Sequence, residues 1–224
     1  MKYWQEYNKN LESLFKEILS HNQSNTFNFL ENNHYNHIRD LLALSIALNR
    51  KNDSEKYKIL DYGSNIIPWT NLNNKIETSL LSVKIYDPFS NPIPIKKDKL
   101  GFDVEIINKI QITSQLKFDM TIFGSSSQYI KSFYEEIENN KFVLGKTVLF
   151  THTPLSLIQD FETLQKNSFQ GKQYVRSFQK LYDWMLSKGY ILFFKSTLPP
   201  SSAMVEKIHE KNTVYANLLF KKVV

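Results

Sequence analysis

The sequence predicts an α/β fold, a mainly parallel sheet with helices on both faces. Three observations carry this reading. After residue 49 the chain becomes a series of short apolar runs bounded by Gly, Pro, Asp or Ser, the pattern of strands buried on both faces. Stretches with helical spacing lie between those runs, and strand–helix alternation builds parallel sheets. The sequence closes on two strands with no room for a helix after the second, so the last strand is expected to be antiparallel to its neighbours.

The elements follow in order. Trp4, Tyr7, Leu11, Leu14, Phe15, Ile18 and Leu19 recur at helical spacing, predicting a helix over 4–19. Ile38, Leu41, Leu42, Ser45 and Leu48 line one side of a second helix over 35–48. Together they form an N-terminal helical extension, residues 1–50, ahead of a sheet domain spanning 51–224. Strands are expected at 58–62, 83–86, 104–107, 120–123, 147–151, 190–194 and 215–220, a seven-stranded sheet. Trp69, Leu72, Ile76 and Leu80 form a stripe behind Pro68, which suits a first helical turn, so a helix is expected over 68–81. Further helices are expected over 132–140 and 176–188, the latter stopped by Gly189, with a short one near 205–210 after the Pro199-Pro200-Ser201-Ser202 turn.

Composition removes whole classes of function. A 224-residue chain with 42% hydrophobic and 14% aromatic residues buries one sizeable core, which excludes disorder and a stapled mini-scaffold. The absence of cysteine excludes disulfides, thiolate zinc sites, iron–sulfur clusters and a thiol nucleophile. No apolar run reaches the ~18 residues of a membrane span, and the first thirty residues carry no signal-peptide core, so a cytoplasmic protein is expected. The net charge of +6 comes from lysines dispersed along the chain, with only Arg39, Arg50 and Arg176 beside them. Nucleic-acid binders cluster arginine on one face, so the charge argues against a nucleic-acid partner. There is no Walker loop, no His-Glu-x-x-His and no Gly-x-Ser-x-Gly elbow. His34 and His37 lack a carboxylate cluster, and no metal site is expected.

Ligands of open α/β sheets bind at the carboxyl ends of the strands, which directs attention to the loop after each run. The first strand leads into Asp61-Tyr62-Gly63-Ser64-Asn65-Ile66, the second into Asp87-Pro88-Phe89. Asp87 follows Gly63 at about the 20-residue offset where an acid accepts from a ribose diol; a plain Asp-Pro turn has the same sequence. A dinucleotide's pyrophosphate needs several glycines at the first turn, and this turn has one. S-adenosylmethionine carries no phosphate and demands less of the turn. The terminal antiparallel strand points the same way, since it marks the class I methyltransferase sheet. The fourth strand opens into Gly124-Ser125-Ser126-Ser127-Gln128-Tyr129, a small polar loop that a Ser-rich helix cap would resemble. The fifth ends at His152, the only histidine at an expected strand mouth. An imidazole with an ordinary pKa of ~6.5 serves as a general base, although a lone histidine is also a common structural residue.

Three segments then resemble a known family. Lys58-Ile59-Leu60-Asp61-Tyr62-Gly63, Phe118-Asp119-Met120-Thr121-Ile122-Phe123-Gly124-Ser125-Ser126-Ser127-Gln128-Tyr129-Ile130, and Val148-Leu149-Phe150-Thr151-His152-Thr153-Pro154 are similar to class I S-adenosylmethionine-dependent methyltransferases met in bacterial surface-polysaccharide gene clusters. Phe161-Glu162-Thr163-Leu164-Gln165 and the closing Leu218-Leu219-Phe220-Lys221-Lys222 also look similar. The Ser-Gln-Tyr-Ile segment is the most specific part. The resemblance implies a Rossmann-like sheet with a terminal antiparallel strand, and S-adenosylmethionine as cofactor. It implies an O-methyltransferase acting on a small-molecule or saccharide acceptor, such as a sugar or nucleotide-sugar hydroxyl in surface-polysaccharide biosynthesis. Cofactor contacts would come from Asp61, Gly63, Ser64, Asp87, Ser125 and Ser126, acceptor contacts from Gln128 and Tyr129, and His152 would be the catalytic base. The chain departs from the group where Ser64, Asn65 and Ile66 replace glycines, and bulky Ile66 and Ile67 stand where the cofactor's methionine end passes the backbone. That departure keeps open a catalytically eroded binding or scaffold protein; an RNA methyltransferase has only the net charge and scattered aromatics behind it.

Overall fold

The computed structural model describes residues 33–50, 54–63, 66–89, 93–95, 100–164, 172–197 and 212–223. The helices expected over 4–19 and near 205–210, and the site residue Ser64, lie outside the described residues. The chain divides into two compact units, one of Met1–Leu60 with Ser64–Ile112, the other of Asp61–Gly63 with Thr113–Val224.

In the first unit, helix α1 (Asn33–Asn49) confirms the expected second helix and buries Ile38, Leu41, Leu42 and Ile46. Strands β1 (Tyr57–Tyr62), β2 (Leu81–Tyr86), β3 (Ile93–Ile95) and β4 (Asp103–Ile107) lie in the order β3-β4-β2-β1. β2 and β4 are parallel, whereas the short β3 is antiparallel to β4.

The helix expected over 68–81 does not form. Two single 3₁₀ turns, Ile67–Trp69 and Leu72–Asn74, stand in its place. Thr70 is extended and Asn71 is left-handed, with φ of 59°. Asparagine tolerates that conformation and competes for backbone hydrogen bonds, so the Asn71-Leu72-Asn73-Asn74 run favours turns over a helix. Half of the apolar stripe is buried: Trp69 and Leu72 are wholly inaccessible, with Trp69 packed against Phe102, while Ile76 and Leu80 are half-buried. Arg39 of α1 clamps the first turn, donating to the Thr70 carbonyl at 2.7 Å and the Ile67 carbonyl at 3.3 Å.

The second unit holds β5 (Met120–Gly124), helix α2 (Phe133–Asn139), β6 (Thr147–Ser156), β7 (Phe161–Leu164), β8 (Lys172–Ser177), helix α3 (Phe178–Ser187), β9 (Tyr190–Thr197) and β10 (Thr213–Lys222). β5 and β6 are parallel, with Phe123 opposite Phe150. β10 is antiparallel to both β6 and β9, so the final strand is inserted between two strands that run the same way, as expected. The sequence reading of seven strands is corrected to ten among the described residues; β3, β7 and β8 are the additions. The expected start at Arg176 of the helix over 176–188 is also corrected: Arg176 belongs to β8, and Ser177 is the cap of α3. Gly189, with φ of 81°, ends that helix region as expected.

Aromatic packing fixes α2 and α3 against this half of the sheet. Phe123 stacks on Phe150 at 5.0 Å between ring centroids, and Phe133 meets both edge-on. Trp184 of α3 closes on Phe133 and Tyr134. Edge-to-face and stacked pairs of this kind contribute roughly 0.5–1.5 kcal/mol each beyond burial.

Candidate functional site

In the second unit, Asp61, Gly63 and the loop Ser125 to Tyr129 come together where β1 and β5 end. Gly63 follows β1 with φ of 78°, and a Cβ placed there would lie 2.8 Å from the Ser126 Cβ. Glycine is therefore required on two counts, conformation and close approach. Ser126 donates its hydroxyl to the Tyr62 carbonyl, tying the loop after β5 to the end of β1. Asp61 is buried just before this turn.

The loop after β5 is built with unspent polar groups. Ser125 takes the left-handed conformation, φ 54°, and its backbone N–H donates to the Thr151 carbonyl at 3.0 Å. A 3₁₀ turn over Ser127–Tyr129 follows, closed by the Tyr129 N–H on the Ser126 carbonyl. Gln128 is buried, and the Tyr129 hydroxyl accepts from Gln173 Nε2 at 3.4 Å. Among the described residues, Ser125 Oγ, Ser127 Oγ, Gln128 Oε1 and Thr151 Oγ1 are buried with no hydrogen-bond partner. Each such group costs about 1–3 kcal/mol if left unmet, so four within one loop and its neighbouring strand must be met by ordered water or by a polar ligand.

His152 lies within β6, not at its end as expected from sequence. The strand continues through Pro154 to Ser156, and all ten of its residues are buried. Ala216 pairs with Thr153 and Leu218 with Phe150, so Thr151 and His152 together oppose the single residue Asn217. This is a β-bulge, and His152 holds its left-handed conformation with φ of 48°. The His152 N–H, displaced from the ladder, donates to Asn217 Oδ1 at 3.0 Å, while Asn217 Nδ2 donates to Ser196 Oγ. Bulges next to binding sites re-aim side chains, and this one sits opposite the end of β5, where Gly124 pairs with Thr151. Sequence reasoning missed Asn217, although an asparagine inside the apolar run Tyr215-Ala216-Asn217-Leu218-Leu219 is a readable signal.

Asp87 belongs to the first unit, directly after β2. Its N–H donates to the Ile107 carbonyl, and its Oδ1 accepts from the Phe89 N–H at 2.9 Å, the turn that the alternative reading anticipates. Ile66 and Ile67, bulky at the first turn, are buried in that unit's core.

The fold has clear counterparts among solved structures. Over 97% of its length the chain superposes on magnesium protoporphyrin IX methyltransferase from Synechocystis with bound S-adenosylhomocysteine, covering 96% of that protein at a TM-score of 0.57 and 12% identity. It likewise matches 1,6-didemethyltoxoflavin-N1-methyltransferase from Burkholderia thailandensis over 98% of this chain and 90% of that one, at a TM-score of 0.52 and 12% identity. The chain thus has the Rossmann-like class I methyltransferase fold. No protein-family profile matches it, and no curated protein matches it by sequence. Among the described residues no helix is long and apolar enough to cross a membrane.

Proposed function

We propose that the protein is an S-adenosylmethionine-dependent O-methyltransferase acting on a sugar or nucleotide-sugar hydroxyl in surface-polysaccharide biosynthesis. The observation that carries the reading is the set of unmet buried polar groups beside a glycine-requiring turn, in a fold whose solved counterparts hold S-adenosylhomocysteine. Asp61, Gly63, Ser64, Asp87, Ser125 and Ser126 are assigned to the cofactor, and Gln128 and Tyr129 to the acceptor. When bound, S-adenosylmethionine supplies the methyl group. His152, fixed by the bulge, takes the proton of the acceptor hydroxyl, and the surrounding residues hold that oxygen in line. The saccharide assignment rests on the Ser127-Gln128-Tyr129-Ile130 segment and its resemblance to enzymes of polysaccharide gene clusters.

Calorimetry and thermal unfolding with S-adenosylhomocysteine test the reading. Micromolar saturable binding is expected, with unfolding stabilised by about 2.7 kcal/mol at a hundredfold excess over Kd. Asp87→Ala should weaken binding by about 1.5–3 kcal/mol through lost charged hydrogen bonds. His152→Ala should lower turnover roughly 100- to 10,000-fold at little cost to cofactor affinity. No binding at millimolar S-adenosylhomocysteine would leave the scaffold reading in its place.

A further inference from the structure

A second feature of the same unit is used by neither the cofactor nor the base assignment. The turn at Lys131–Ser132, the start of α2, and residues of strands β7 and β8 line a pocket of about 310 Å³, at the small end of the range for small-molecule sites. Its walls are aromatic, with Tyr134, Phe161 and Tyr174 among them. Its floor is cationic: Arg176 is 4% exposed and lies over the Phe133 ring at 4.7 Å. The guanidinium has five N–H donors. One is given to the Tyr174 carbonyl at 3.1 Å and one to the Ile130 carbonyl, immediately after the Gln128-Tyr129 pair.

No carboxylate neutralises this cation at contact distance among the described residues. Asp160, the nearest candidate in the lining, is committed at both oxygens, one to the Ser177 N–H at 2.7 Å and the other to Lys180 Nζ at 2.7 Å. Glu135, the other acid in the lining, is exposed. Lys131 adds a further exposed cation at the rim. The Tyr134 hydroxyl is buried in the same lining with no hydrogen-bond partner among the described residues. Burial holds the guanidinium pKa down to about 10, while the neighbouring Asp160 carboxylate acts the other way without contacting it.

We infer that this pocket recognises an anionic group of the acceptor, a carboxylate or a phosphate, with Arg176 as the principal contact and Lys131 and the Tyr134 hydroxyl as supporting ones. The chemistry suits the partner: a guanidinium fork matches carboxylate and phosphate oxygens, and the aromatic walls suit the flat apolar face of a sugar ring. The inference rests on the methyltransferase reading only in assigning the anion to the acceptor.

Calorimetric titration of the full chain with glucuronate, glucose 1-phosphate and neutral methyl glucoside tests it, and the first two distinguish carboxylate from phosphate. At least one anionic probe is expected to bind about tenfold or more tighter than the neutral glycoside. Lys131→Glu, at an exposed position, should weaken that binding about tenfold, and Arg176→Met should abolish it. Should Arg176→Met fail to fold, Lys131→Glu and Tyr134→Phe carry the test, each expected to lose affinity for the anionic probe alone. Equal affinity for charged and neutral probes, no anionic binding up to about 10 mM, or an unchanged Lys131→Glu protein would overturn it. Titration with S-adenosylhomocysteine separates the two proposals. Cofactor binding without anion selectivity defeats only the pocket, whereas anion selectivity without cofactor binding defeats only the methyltransferase reading.

Discussion

At the scale of single residues, the site depends on conformations that most side chains avoid. Ser125 and His152 both take the left-handed region, and the Thr151 carbonyl that anchors the Ser125 N–H precedes His152 in the same bulge. A non-glycine residue held there costs of order 1–3 kcal/mol and persists only where its surroundings over-determine it. For His152 the determinant is Asn217, which is fully buried and supplies the side-chain acceptor that the ladder cannot. Asn217→Ala should strand the His152 N–H and destabilise the protein by about 1–3 kcal/mol, read from urea denaturation. Asn217→Asp keeps an acceptor at the same reach but buries a carboxylate and loses the donor to Ser196 Oγ, so it should not recover that loss at neutral pH. If Asn217→Ala unfolds at the parent's midpoint, another group holds the bulge.

The element scale separates what periodicity reveals from what it hides. Strands flanked by turn residues were legible because burial on both faces leaves unbroken apolar runs, as at Met120-Thr121-Ile122-Phe123. β8 was not, since Lys172-Gln173-Tyr174-Val175-Arg176-Ser177 is polar in sequence and buried only through the β6 edge, β7 and the loop after β5. Tertiary context made that strand, and it displaced the helix start from Arg176 to Phe178. Ser177 then does two jobs. Its Oγ accepts from the Lys180 N–H at 3.4 Å as the α3 cap, and its own N–H is taken by Asp160. The cap bond is long, so Ser177→Ala should cost about 0.5–1 kcal/mol, toward the low end for N-caps. Denaturation of this variant beside Asp160→Asn would check it, because Asp160 holds both the Ser177 N–H and the Lys180 ammonium and should cost more.

For the molecule as a whole, the order of strands at the end of the chain was legible while the details of the site were not. The antiparallel insertion of β10 was legible because no long helical pattern separates the 190–194 and 215–220 runs, so the two pair as a hairpin-like return. The bulge needs the pairing of residues about 65 apart in sequence, His152 with Asn217, and no local pattern carries such a register. The dense burial that the composition anticipated also sets how the protein responds to alkali. Burial pushes the Tyr190 phenol up to about 12, and it raises Tyr134 and Tyr215 as well. An unfolded tyrosine releases its proton near pH ~10, so between about pH 10 and 12 the unfolded chain binds fewer protons than the folded one. The contribution of these phenols should be constant below that window and fall as pH rises through it. Arg176 has the opposite sign: its folded pKa of about 10 lies below the ordinary guanidinium value, so its desolvation cost is relieved as pH rises through the same window. Three phenols against one guanidinium make the net change a loss. Urea midpoints measured from about pH 9 to 11.5 should decline, and Tyr190→Phe should flatten the decline. That variant also loses the 2.7 Å bond from the Tyr190 hydroxyl to the Gly145 carbonyl, which lowers its midpoint at neutral pH. The slope, not the neutral-pH midpoint, is therefore the diagnostic quantity. An unaltered slope in Tyr190→Phe would mean that Tyr190 titrates alike in the folded and unfolded chains, and burial of its phenol would have no part in the alkaline response.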